Sequence, residues 1–145
     1  MSTVVEKPPA KAQPLTMEQA TRILAGYQEL WNRSAMTEYL EGFTEDVVVE
    51  FADLPAVNGR KDLEKMITAR VARQKGYQLK KSLRCVFDRT IVCSWTATWT
   101  DSKTERLMSG KGIEFIELRE DGKCSRWEAS FDAWDREGPR QSRFI

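Results

Sequence analysis

Apolar side chains recur three and four residues apart over the first half of the chain and two apart over the second half. From Met17 they fall at Ala20, Leu24, Tyr27 and Trp31, with Ile23 and Leu30 widening the stripe. That spacing predicts an amphipathic helix ending near Asn32-Arg33. Thr16, followed three positions later by Gln19, is the capping-box pattern that starts such a helix. Ser34 is placed to cap a second, shorter helix over Ala35–Leu40, with Gly42 as its stop. The β-branched run Val47-Val48-Val49, closed by Glu50-Phe51, predicts a strand. Asp53 to Asn58, with Pro55, reads as a loop with room for a brief strand. Gly59 opens a third helix, Lys61 to Gln74, on an apolar stripe of Leu63, Met66, Ile67 and Val71, and Gly76 is expected to end it.

From Tyr77 the period drops to two. Tyr77, Leu79, Leu83, Cys85 and Phe87 alternate with polar residues, and Ile91, Cys93, Trp95, Ala97 and Trp99 do the same. A third run covers Glu105 to Leu118, and Asp121-Gly122 predicts a hairpin turn into a returning strand from Lys123 to Phe131. Helices first and a long meander afterwards imply an α+β domain, its helices packed on one face of a curved antiparallel sheet. Residues 1–14 hold three Pro, two Lys and little to bury, so they are expected to form a disordered leader. A single domain over 15–135 and a C-terminal tail over 136–145 complete the expected organisation.

Composition narrows the chemistry. The 23 basic and 22 acidic residues of this 145-residue chain give a net charge of +1, which offers no electrostatic footprint for nucleic acid. The chain has no His, so His-dependent triads, His-ligated metals and imidazole acid–base chemistry are excluded. Carboxylates, Tyr, Lys or Arg must carry any proton chemistry. Cys85, Cys93 and Cys124 are an odd number at wide spacing and read as buried thiols in a reducing, cytoplasmic setting. Lys80-Lys81, with Arg84 and Arg89, read as a solvated basic patch. No apolar stretch approaches the ~20 residues of a membrane span. No phosphate loop or metal-spaced carboxylate cluster is present, so neither a cofactor nor a metal is expected.

The order of elements carries a resemblance, on several local motifs: Leu30-Trp31-Asn32 at the end of the first helix, Phe43-Thr44-Glu45-Asp46-Val47, Asn58-Gly59-Arg60, and Asp121-Gly122-Lys123 followed by Trp127 and Phe131-Asp132. Over Met17 to Trp134 the chain resembles the SnoaL-like, nuclear transport factor 2-like superfamily, which includes ketosteroid isomerases and limonene epoxide hydrolases. The resemblance implies a cone-shaped α+β fold with three helices on the concave face of the sheet. It also implies a pocket in the mouth of the cone and a homodimer through the outer sheet face, where Glu128 and Asp132 would form salt bridges between subunits.

Inward-pointing strand positions are expected to include Trp95, Ala97, Trp99, Ile113, Phe115, Trp127, Ala129 and Phe131, although both faces of the third long strand are apolar. Similarity to ketosteroid isomerases places Tyr27 at the family's helix-one Tyr and Glu114 at its protonated acid. Those are the two donors for an oxyanion, the acid being kept neutral by its apolar surroundings. The same similarity places Phe51, which cannot take a proton, at the base position, and Asp53 two residues on is the substitute. Glu114 either faces inward, with its pKa raised by burial, or lies on the outer face. Similarity to limonene epoxide hydrolases puts Ala129 where their catalytic Asp stands, which argues against that hydrolysis. The implied function is a cofactor-independent enzyme (isomerase, cyclase or dehydratase type) acting on a small apolar or aromatic molecule. Tyr27, Asp53 and Glu114 are the catalytic candidates, and Trp31, Phe51, Trp95, Trp99, Phe115, Trp127 and Ala129 the substrate-binding walls. The alternative is a non-catalytic ligand-binding or protein-interaction member of the same fold.

Overall fold

A computed structural model describes residues 13–52 and 54–141. Helix α1 (Met17–Asn32) starts as its sequence requires: the Thr16 hydroxyl accepts from the Gln19 amide, and the Gln19 side chain accepts from the Thr16 amide. It buries Ala20, Leu24 and Trp31. Helix α2 (Met36–Glu41) follows without the expected Ser34 cap, because Ser34 takes a φ of 56° in the turn and Ala35 becomes the N-cap. Strand β1 (Phe43–Phe51) begins four residues earlier than the β-branched run suggests, and β2 (Val57–Asn58) is the brief strand. Helix α3 (Arg60–Arg73) buries Leu63 and Ile67.

Four long strands complete the chain: β3 (Gln74–Phe87), β4 (Thr90–Asp101), β5 (Leu107–Leu118) and β6 (Cys124–Asp135). The six form one curved, unclosed sheet in the order β2-β1-β6-β5-β4-β3. It is antiparallel except where β1 lies parallel to β6, with Val49 opposite Trp127 and Phe51 opposite Ala129. This corrects the fully antiparallel expectation. The first strand thus adds to the β3–β6 meander at the edge formed by its last strand.

Gly76 does not end α3. It sits inside β3 at φ 62°, within a register shift between Lys75 and Gln78, a left-handed conformation that glycine adopts without a Cβ penalty. A second shift between Leu83 and Cys85 reverses the faces of the strand end, which is why Cys85 and Phe87 are exposed; Cys93 on β4 and Cys124 on β6 are buried as expected. The leader lies outside the described residues except for Gln13 and Pro14. The Gln13 carbonyl accepts from Arg89, and the Leu15 amide donates to the Asp88 carbonyl.

Edge strand β3 is tied to α1. Asn32 both donates to the Leu79 carbonyl, at 3.0 Å, and accepts from the Leu79 amide, at 2.6 Å. One helical turn earlier, the Gln28 side chain accepts from the Lys81 amide at 2.8 Å. These amides satisfy backbone groups that an edge strand would otherwise leave open, and they fix the stretch from which the Lys81 side chain departs.

Candidate functional site

Alternation decides what each strand contributes to the concave face. On β5, Gly110, Glu114, Ile116 and Leu118 are buried, whereas Ile113 and Phe115 are exposed. Phe115, expected as a substrate wall, therefore stands on the outer face at 48% exposure, and Ile113 with it. The cross-strand register explains the correction. Glu114 is paired with Cys93 on β4 and Ala129 on β6, and both of these point inward, so the residues on either side of Glu114 cannot.

Two glycines on β5 open the space. A Cβ on Gly112 would lie 2.7 Å from the Phe131 Cβ and 2.9 Å from the Trp95 ring, and one on Gly110 would lie 3.1 Å from the Trp99 ring. The indoles of Trp95 and Trp99 thus lie over bare backbone, and Phe131 closes beside them, 5.9 Å from Trp95 between ring centroids. Phe51 meets Trp127 edge-on at 4.9 Å and Phe131 at 5.9 Å. Met66, Ile67 and Arg70 of α3 cover this basket, and the Arg70 guanidinium sits 5.1 and 5.0 Å from the Phe51 and Phe131 ring centroids. The cavity, open on one side, has a volume of about 150 Å³, and its wall also includes Trp31, Tyr77, Trp127, Ala129, Lys81 and Glu114. An apolar cavity of that size takes up benzene, so it suits one ring better than a polycycle.

Its polar end is an ion pair. The Lys81 ammonium contacts Glu114 Oε1, with the two side chains only 4% and 2% exposed. Trp127 Nε1 donates to Glu114 Oε2 at 2.7 Å, and the Cys93 thiol donates to Oε1 at 3.3 Å. Burial pushes the Lys81 ammonium down to about 8, with the neighbouring Cys93 acting the other way. Burial also raises the Cys93 thiol. Lys81 is not the solvated residue expected of Lys80-Lys81. The signal was present in its phase, since Lys81 falls on the same alternation as Leu79 and Leu83.

Of the three catalytic candidates, the cavity holds Glu114. Tyr27 is not on its wall; α1 turns it edge-on to Tyr39 at 5.7 Å, where burial raises its hydroxyl above the ordinary tyrosine range. Tyr77 takes a place on the wall instead, and burial pushes it up to about 12. Asp53 lies outside the described residues. The substrate walls expected at Trp31, Phe51, Trp95, Trp99, Trp127 and Ala129 all border the cavity. Glu128 pairs with Arg126 of its own strand at 2.9 Å, and Arg126 also reaches Glu50. Among the described residues no cluster of His, Cys, Asp or Glu has the geometry to hold a metal ion, and no helix is long and apolar enough to cross a membrane.

A protein-family profile described as "Protein of unknown function (DUF1348)" matches residues 13–141. The chain belongs to that family. No curated protein matches it. Among solved structures, the DUF1348 chain is similar to SalBIII, an epoxide hydrolase/cyclase-like enzyme of pyran ring formation in the polyether salinomycin. The two share 15% identity over 81% of this chain and 96% of the other, with a TM-score of 0.72. A protein from Bacillus subtilis provisionally named an isomerase is 19% identical over 79% of this chain and 87% of its own, with a TM-score of 0.70. A nuclear transport factor 2-like protein from Exiguobacterium sp. 255-15 is 13% identical over 75% and 97%, with a TM-score of 0.66. At these identities the likeness shows the fold alone, a nuclear transport factor 2-like one, and leaves activity to the residues of the site.

Proposed function

We propose that the protein is a cofactor-independent enzyme of isomerase, cyclase or dehydratase type that moves a proton on a small, apolar, cyclic molecule. The observation that carries this reading is the Lys81–Glu114 ion pair at one end of a cavity rich in aromatic side chains. A buried pair of this kind is weak as a stabilising device, because apolar side chains of equal volume commonly serve as well or better. In a cavity sized for a ring it is well placed for chemistry. Trp127 anchors one oxygen of Glu114, leaving the oxygen that faces Lys81 to exchange a proton with a bound ring. Lys81 would stabilise negative charge as it develops on a substrate oxygen. Asp53 remains the proposed second carboxylate, and Tyr77 takes over the hydroxyl role expected of Tyr27. The exposed Ile113 and Phe115 support a homodimer through the outer face.

Cyclic ketones of one ring, incubated with the protein in D2O and followed by NMR, test the reading. Exchange of α-protons is expected for ligands that quench tryptophan emission, and Glu114→Gln should remove exchange while keeping the quench. If ligands bind and none exchanges, the protein is a binding module. That second reading is favoured by one observation: both Glu114 oxygens already have partners within the chain.

A further inference from the structure

We propose that Lys81 is a nucleophile that forms an imine with an aromatic or cyclic aldehyde or ketone seated in the cavity. The inference deepens the proton-transfer reading above and rests on it, since it names the substrate class of the same site. Three observations carry it. The Lys81 amine borders the cavity rather than solvent, and its side chain is 4% exposed. Its backbone is fixed by Gln28 and, two residues earlier, by Asn32, so the amine is delivered to one place. Glu114, in contact with it, is the group that must take its proton before it can attack.

The step balances without an outside reagent. Proton transfer within the pair leaves a neutral amine and a carboxylic acid. The amine nitrogen bonds to the carbonyl carbon while the C=O electron pair moves to oxygen, giving a carbinolamine. The carbinolamine oxygen then leaves as water, using the proton held by Glu114 and one from nitrogen. A protonated imine remains beside a Glu114 carboxylate, so the charge pair that burial requires is restored. Where the adduct carries an α-hydrogen, that carboxylate is the base at hand to take it, and the proton is far more acidic than that of the parent ketone. Burial favours the sequence, because it brings the ammonium down to about 8 and raises the fraction of free amine near neutrality. Cys93 and Glu114 contact the reacting end of Lys81, or each other, at the floor, and Tyr77 and Arg70 are the other ionisable groups on the wall.

The test is reductive trapping on the full chain with benzaldehyde and sodium cyanoborohydride at neutral pH, followed by peptide mapping. The expected product is a benzyl group on Lys81 in preference to exposed Lys80, blocked by toluene as a competitor for the cavity. Lys81→Arg should lose that label and still show tryptophan quenching by benzaldehyde, and its circular dichroism should match that of the parent. Label spread over surface lysines while benzaldehyde occupies the cavity would overturn the imine and leave the proton-transfer reading standing. Undiminished α-proton exchange in Lys81→Arg would have the same effect. Failure of benzaldehyde and of the cyclic ketones to quench or to react would overturn both.

Discussion

Lys81 and Glu114 lie on strands separated by the whole of β4 and still touch, on a diagonal: Lys81 is opposite Trp95 on β4, and Glu114 is opposite Cys93, two residues away on the same face. The four methylenes of the lysine span the strand, and the Cys93 thiol adds its own contact to Glu114.

Breaking the pair should be costly and joint removal less so. Lys81→Met leaves Glu114 buried without its cation, and about 3–5 kcal/mol of stability should be lost. Adding Glu114→Gln should recover part of that loss, giving a favourable coupling in a double-mutant cycle. Urea denaturation of the four proteins measures it, and strictly additive losses would show that the pair is not a unit.

Gly112→Ala should destabilise the fold and damage the cavity together. Its methyl would meet Phe131, the Ser130 carbonyl and Trp95 at under 3 Å, so backbone and rings must both shift, at about 1–3 kcal/mol. The melting temperature and the tryptophan spectrum should change in the same variant. A silent Gly112→Ala would contradict the close approach of the two rings.

The two faces of the sheet should separate cleanly in binding experiments. Ala129→Leu extends a side chain into the cavity beside Phe51 and Trp127, and it should abolish saturable quenching by single-ring ligands. Phe115→Ser, on the outer face, should leave that quenching unchanged while altering any self-association seen by sedimentation.

Acid sensitivity should centre on Asp101. Arg73 donates to its carboxylate at 2.9 Å and the Thr104 hydroxyl at 2.8 Å, which lowers it from 3.8 to about 2. The folded form therefore holds the proton less tightly than the unfolded chain. The resulting stability is complete above about pH 4 and is lost as the pH falls through about 2. Asp101→Asn should flatten this part of the stability–pH curve, measured by denaturant titration at several pH values.

Much of this arrangement was legible in the sequence because it follows from period. The stripe of α1, its Thr16–Gln19 start and the Asp121-Gly122 turn each depend on neighbours within a few positions. Phe115 was misplaced because Ile113, Phe115, Ile116 and Leu118 give β5 apolar residues on both faces, and only pairing with Cys93 and Ala129 chooses between them. Lys81 was missed for the opposite reason. A charge in an apolar phase is read as solvated unless its partner is known, and Glu114 lies 33 residues away on a strand that is not its neighbour. Tyr27 was carried to the cavity by likeness to a family position, but the turn of α1 and the presence of Tyr39 take its ring elsewhere.

Asn32 has a consequence beyond placing Lys81. By accepting from and donating to Leu79 it imitates the main chain of one residue of a further strand, and Gln28 extends the imitation to the next amide that faces outward. Helix α1 therefore acts as a decoy strand along β3. Undocking of the helix would uncover paired donors and acceptors on a long edge, the template on which a second chain adds. The same two amides that position the lysine thus guard the sheet against amyloid-like growth, and their loss should be felt first as aggregation on heating.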